Sequence, residues 1–210
     1  MPEMTSPALT GPAGALQVRM EQRRDTPAFI AVVCHPHPLY GGTMDNKVVT
    51  TLVRMARDAG ALAVRFNFRG VGDSDGQFDD GRGETDDLLA VLQWCREQYP
   101  DLPVWLAGFS FGSWVAANAA VRLTSRSGAP DALLLVAPPV HHYPFAGLDG
   151  AGCPVTVIQG MDDEVVPADE VLQWCQDTPL RPSVVRLQGC SHFFHGRLVD
   201  LRQAAEPTLP

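Results

Sequence analysis

The chain is 210 residues long, 45% hydrophobic and 19% charged, a size and balance that suit one globular domain built on a buried sheet. With 24 acidic residues against 16 basic ones its formal net charge is −8, which argues against nucleic acid or an anionic membrane as partner. No apolar run reaches the roughly 18 residues of a membrane span, and residues 1–14 lack the apolar centre of a signal peptide, so the expectation is a cytoplasmic protein with a flexible start.

In chain order, short apolar runs alternate with helix-length amphipathic segments. Residues 16–21 alternate in polarity, as an edge strand does. Residues 29–34 are almost continuously apolar, and that is how a strand covered on both faces reads. A helix over 47–58 follows, with Val48, Leu52, Met55 and Ala56 on one side and Gly60 to end it. Residues 62–68 form the next buried strand. The helix over 84–98 opens with Glu84, Asp86 and Asp87, suited to the positive end of its dipole. A strand over 104–107 leads into a helix over 113–123, so rich in Ala and Val that it belongs inside. Strands over 132–137 and 155–159, a helix over 168–175, a terminal strand over 184–187 and a helix over 195–204 complete the pattern.

Such alternation implies right-handed crossovers and an α/β architecture: a doubly wound, mostly parallel sheet flanked by helices, in a single domain over 1–210. Its site should lie beyond the C-terminal ends of the strands. Cys34, Cys95, Cys153, Cys175 and Cys190 are odd in number and include no Cys-x-x-Cys pair, which fits reduced thiols rather than a disulfide framework or a zinc site.

Four segments after strands carry chemistry. Gly108-Phe109-Ser110-Phe111-Gly112 lies between a strand and a buried helix, the setting of a nucleophile elbow: a sharp bend leaves the serine exposed, and glycines two residues either side avoid collision. Gly160-Met161-Asp162-Asp163-Glu164 follows another strand. A carboxylate there can hold an imidazole in its useful tautomer, and the Gly-x-x-Asp-x-x-Val-Pro spacing favours Asp163 over Asp162. Gly189-Cys190-Ser191-His192-Phe193 supplies the base, His192, with His195 second because it should begin the last helix. The order Ser110, Asp163, His192 is itself a signature. Finally, His35-Pro36-His37-Pro38 follows the strand over 29–34. An oxyanion needs two N–H donors; Phe111 supplies one, and since prolines have none, His37 supplies the other. A metal pair at His35 and His37 lacks a third ligand nearby, and His141-His142 reads as a surface or pocket-rim pair.

The glycine-rich stretch Asn67-Phe68-Arg69-Gly70-Val71-Gly72-Asp73-Ser74-Asp75-Gly76 lacks the Gly-Lys-Ser/Thr of a phosphate loop and reads as support for the pocket wall. Scattered aromatics, Tyr40, Trp114, Tyr143 and Phe193 foremost with Phe78 and Phe145, are the candidate substrate contacts.

On these motifs the chain resembles the α/β-hydrolase superfamily, in particular its small lidless bacterial members with a His-Pro-His-Pro-x-x-Gly-Gly-Thr segment and an Arg-Gly-x-Gly-x-Ser-x-Gly loop. The resemblance runs from about Phe29 to His195 and implies an eight-stranded sheet or a trimmed version of it. It implies hydrolysis of a small carboxylic ester or thioester through Ser110, His192 and Asp163, without cofactor or metal. Pro36 stands where most members have glycine, which leaves the second oxyanion donor open. Only residues 140–154 separate two strands where many members insert a cap, so no lid domain fits. A small peptidase or amidase, or an inactive binding protein on the same fold, are the alternatives.

Overall fold

The computed structural model describes residues 3–124 and 128–210. In chain order the elements are β1 (Glu3–Thr5), β2 (Leu9–Gly11), β3 (Gly14–Leu16), β4 (Val18–Gln22), β5 (Ile30–Cys34), α1 (Lys47–Asp58), β6 (Leu62–Phe66), α2 (Arg82–Gln98), β7 (Val104–Phe109), α3 (Phe111–Thr124), β8 (Ala132–Val136), β9 (Val155–Gly160), α4 (Ala168–Asp177), β10 (Ser183–Leu187) and α5 (Leu198–Ala205). The main sheet has eight strands in the order β1-β4-β6-β5-β7-β8-β9-β10, and β2 and β3 form a separate hairpin. Pairings from β6 through β10 are parallel; those of β4 with β6 and of β1 with β4 are antiparallel.

The apolar strand runs are explained by the two faces they serve. In β5, Ile30, Val32 and Cys34 pack with α2 and α3, while Ala31 and Val33 pack with α1 and α5. In β7, Val104 and Leu106 take the first face and Trp105, Ala107 and Phe109 the second. Side chains alternate across a strand, so a strand with a helix layer on each side must be apolar at every position.

Several boundaries differ from expectation. Residues 1–14 do not lack structure where described, since β1 pairs with β4 and β2 with β3. The run over 16–21 is broken at Gln17, whose N–H donates to Ser74 Oγ and whose side chain bonds Asp73 and Asn67. β6 stops at Phe66, because the Asn67 N–H turns to Gln17 O and the Phe68 N–H to His35 Nε2. α2 begins at Arg82, since Glu84 reaches back to accept from the Gly81 and Asp79 N–H groups in the manner of a capping box. α5 begins at Leu198 rather than His195, after turns closed by the Phe194 N–H on Ser191 O and the Arg197 N–H on Phe194 O. No helix among the described residues is long and apolar enough to cross a membrane.

Candidate active site

The elbow is built by backbone geometry. Ser110 follows β7 with φ of 52°, a left-handed conformation that costs a non-glycine residue about 1–3 kcal/mol unless its surroundings enforce it. Here they do. The Ser110 N–H donates to Val136 O at 2.8 Å, and the Ser110 carbonyl accepts from the Ser113 N–H and hydroxyl. A Cβ at Gly108 would stand 2.5 Å from Ser113 N, and one at Gly112 would stand 2.6 Å from Cys34 O. Glycine is therefore required on both sides of the bend.

The turn after β9 holds Asp163 by all its acceptor positions. Oδ1 accepts from the Val165 and Val166 N–H groups at 2.9 and 2.7 Å; Oδ2 faces His192 Nδ1 at 2.8 Å and accepts from Gln159 Nε2 at 3.2 Å. Its side chain is fully buried. Asp162, by contrast, is exposed, and it is its backbone N–H that ties this turn to Cys190 O. His192 is buried against Phe109, with ring centroids 5.0 Å apart. Its Nε2 lies 3.2 Å from Ser110 Oγ, so the three side chains form one connected series. His195 is exposed and outside that series. Two supporting groups were not anticipated: Gln159, a polar side chain in an otherwise apolar strand, and Glu164, whose Oε2 accepts from the His192 N–H at 3.1 Å.

On the other side of Ser110 lies the loop after β5. His35 is buried, and its two nitrogens have different partners: Nε2 accepts from the Phe68 N–H at 3.0 Å, so Nδ1 carries the proton and donates to Pro36 O at 2.6 Å. Burial pushes this imidazole down to about 4, so near neutral pH it is an uncharged brace. The His37 ring packs on Phe111 at 4.8 Å and its Nδ1 accepts from the Leu39 N–H. Among the described residues, neither the His37 N–H nor the Phe111 N–H has an acceptor within the protein. The Asn67–Gly76 loop stands behind this one: Asn67 Oδ1 accepts from the Met44 N–H, and Arg69 grips the buried Asp87 carboxylate with Nε and Nη2.

Ser110 opens into a cavity of about 510 Å³. Of the expected contacts, Tyr40 and Tyr143 line it together with Phe111 and His37. Trp114 does not; it is stacked on Tyr143, centroids 4.5 Å apart, and donates from Nε1 to Pro144 O. Phe193 is likewise absent from the lining and lies edge-on to His192 at 5.0 Å. Phe145 is buried on Trp174, and Phe78 packs on His37 and Phe111. The wall is completed by Pro139, His141, His142, Val165 and Val166, contributed by two loops whose course no local pattern announces. Among the described residues no group of three or more His, Cys, Asp or Glu side chains could hold a metal ion.

Residues 39–145 match the family model for the α/β-hydrolase fold. An uncharacterized protein of Rickettsia prowazekii is 36% identical over 203 residues, covering 92% of this chain and 84% of that one. A crystal structure from Xanthomonas campestris, described as a serine hydrolase without a lid, is 42% identical and superposes with a TM-score of 0.89 over 98% of this chain and 93% of its own. An α/β serine hydrolase homologue from Coxiella burnetii is 41% identical, with a TM-score of 0.90 over 98% and 97% of the two chains. More distantly, the lysophosphatidylserine lipase of Danio rerio is 29% identical over 171 residues, of which this chain spans 44% of the lipase's length. With its mostly parallel eight-stranded sheet between helices and no inserted cap, the chain belongs to the α/β-hydrolase family, in the group of small lidless bacterial serine hydrolases.

Proposed function

We propose that the protein hydrolyses a carboxylic ester or thioester of a small molecule through Ser110, His192 and Asp163. The observation that carries this reading is the series Asp163 Oδ2 to His192 Nδ1 at 2.8 Å and His192 Nε2 to Ser110 Oγ at 3.2 Å, ending on a strained serine beside a cavity. The contact with Asp163 keeps the Nδ1 proton in place and leaves Nε2 free to take the serine proton. Ser110 Oγ then bonds to the carbonyl carbon, and the pair of electrons from the C=O bond moves onto oxygen. The His37 and Phe111 N–H groups are the donors for that oxyanion. As the tetrahedral adduct collapses, the imidazolium returns its proton to the departing alkoxide or thiolate, leaving an acyl-serine. Water, deprotonated by the same imidazole, releases the acid. Nucleophile, base and donors all come from the chain itself, and no nucleic acid, membrane or partner protein enters the scheme.

A fluorophosphonate probe tests this and separates an enzyme from an inactive relative. The expected result is one covalent adduct, mapped to Ser110, and turnover of p-nitrophenyl butyrate. Ser110→Ala should lose the adduct and reduce kcat by on the order of 10⁴-fold or more with its circular dichroism unchanged. A variant keeping more than a few per cent of the rate overturns the assignment.

A further inference from the structure

The segment joining β8 to β9 brings two adjacent imidazoles, His141 and His142, to the wall of the cavity that contains Ser110. Their rings lie 3.9 Å apart. His141 Nδ1 is sealed from solvent and has no hydrogen-bond partner among the described residues, whereas Nε2 is not enclosed in that way. Such an orphan in a folded protein calls for an explanation.

The position of the ring proton follows from that asymmetry. A proton on Nδ1 would make a buried N–H donor with nothing to accept it, the rarest kind of unsatisfied group. The favoured tautomer therefore carries its proton on Nε2, the ring nitrogen left to seek an acceptor outside the protein, on a residue that lines the cavity. Burial first, and then the neighbouring His142, hold this imidazole below its ordinary range against the opposing pull of Glu170 and Asp163. The ring thus offers a neutral N–H. Among the described residues no arginine or lysine lines the cavity; of the two other imidazoles on its wall, that of His37 has Nδ1 engaged by the Leu39 N–H and that of His142 is exposed. A carboxylate or phosphate in the substrate would find no permanent cation there.

We propose that His141 is a specificity-determining residue whose Nε2–H binds an uncharged oxygen of the substrate (ether, carbonyl or hydroxyl) beyond the scissile carbonyl. The site then favours acyl or alcohol groups that carry such an oxygen over hydrocarbon groups of the same length. This rests on the ester-hydrolase reading of Ser110 and adds the substrate's second recognition point. The oxygen can lie in the acyl or in the alcohol portion; the chemistry at His141 is the same.

Two matched pairs test it. On the acyl side, p-nitrophenyl methoxyacetate is compared with p-nitrophenyl butyrate; on the alcohol side, 2-methoxyethyl butyrate is compared with butyl butyrate. In each pair one methylene becomes oxygen. The readout is the ratio of kcat/KM within a pair, compared between wild type and His141→Leu, so that the intrinsic reactivity of each ester cancels. In one of the two pairs the ratio should fall by about three- to tenfold, the range of one neutral hydrogen bond. If His141→Leu does not fold, His141→Phe gives the same readout. Wild-type protein that turns over none of these esters defeats the ester-hydrolase reading. Wild-type protein that turns them over with ratios unmoved, within about twofold, in both pairs overturns the role of His141 alone.

Discussion

The Gly108–Gly112 bend and the connection over residues 138–154 border the same cavity and are built on opposite terms. At the bend, Ser110 is held in a left-handed conformation between two glycines whose hydrogens point into backbone, and its N–H is fixed on Val136 O. In the connection, no atom outside the immediate chain lies within 4 Å of a Cβ added at Gly150, His142 is exposed, and Tyr143 leans on Trp114 by a ring contact. One region is specified by main-chain geometry that side chains cannot alter. The other joins exposed side chains such as His142 to buried anchors at Phe145, Leu148 and Ala151. On the proposed function, the first would carry the chemistry and the second would help choose the substrate, and each can be perturbed while the other is watched.

The sharpest contrast is between the two neighbouring aspartates of the turn that completes the rigid side. Asp163→Asn should reduce kcat by about 10³- to 10⁴-fold, since an amide at this place no longer stabilises the imidazolium or enforces its tautomer. Asp162→Asn, at an exposed side chain whose role is carried by its backbone N–H, should stay within about threefold. Steady-state kinetics on p-nitrophenyl butyrate decide it, and reversed effects would move the acid to Asp162.

Stability should divide in the same way. Gly112→Ala forces a Cβ against the Cys34 and His35 carbonyls and should cost about 2 kcal/mol or more in urea unfolding, or prevent folding. Gly150→Ala meets open space and should change stability by about 0.5 kcal/mol at most in the unfavourable direction, with a small gain from the stiffer unfolded chain. Equal costs at the two glycines would dissolve the distinction between the regions.

His35 extends the rigid side to pH. Its folded-state value, about 4, lies below the 6.5 of a free imidazole because the ring is buried. Above pH 6.5 it is neutral in both states. Between pH 6.5 and 4 the unfolded chain takes up a proton that the folded one refuses, so stability falls as pH falls through that window, by up to about 3 kcal/mol. His35→Gln should flatten this part of the profile relative to wild type; parallel profiles would remove His35 as its source.

The smallest effect concerns the open side. With no cap over a cavity of about 510 Å³, acyl chains should gain only while wall remains to cover them, about 0.8 kcal/mol or fourfold in kcat/KM per methylene. The gain should end between roughly two and eight carbons, since each further methylene lies beyond the wall. A p-nitrophenyl ester series measures it. Steady gain to palmitate would mean a longer covered groove.

What could be read in the sequence follows the same division. The buried strands were legible because two helix layers force apolar residues at every position, as in Ile30–Cys34, and the Ser110, Asp163, His192 order was legible because each ends a strand. Local signals failed where a residue answers to a distant partner. Gln17 interrupts a strand to serve a loop more than fifty residues away, and the short β1 exists only because β4 offers it an edge. Trp114 and Phe193 carry the composition of pocket residues, yet ring packing on Tyr143 and His192 takes them out of the lining. The sequence reads His141-His142 only as a surface or pocket-rim pair; the unpartnered Nδ1 of His141 sets that residue apart.

The His35 brace bears on timing. Because its ring joins the Pro36 carbonyl to the Phe68 N–H, the segment bearing the His37 N–H is seated before any substrate arrives. With no cap to swing, the acylation proposed for Ser110 should not wait on a slow rearrangement of the chain. Mixing enzyme with excess p-nitrophenyl ester in a stopped-flow instrument should then release the first equivalent of nitrophenolate without a lag.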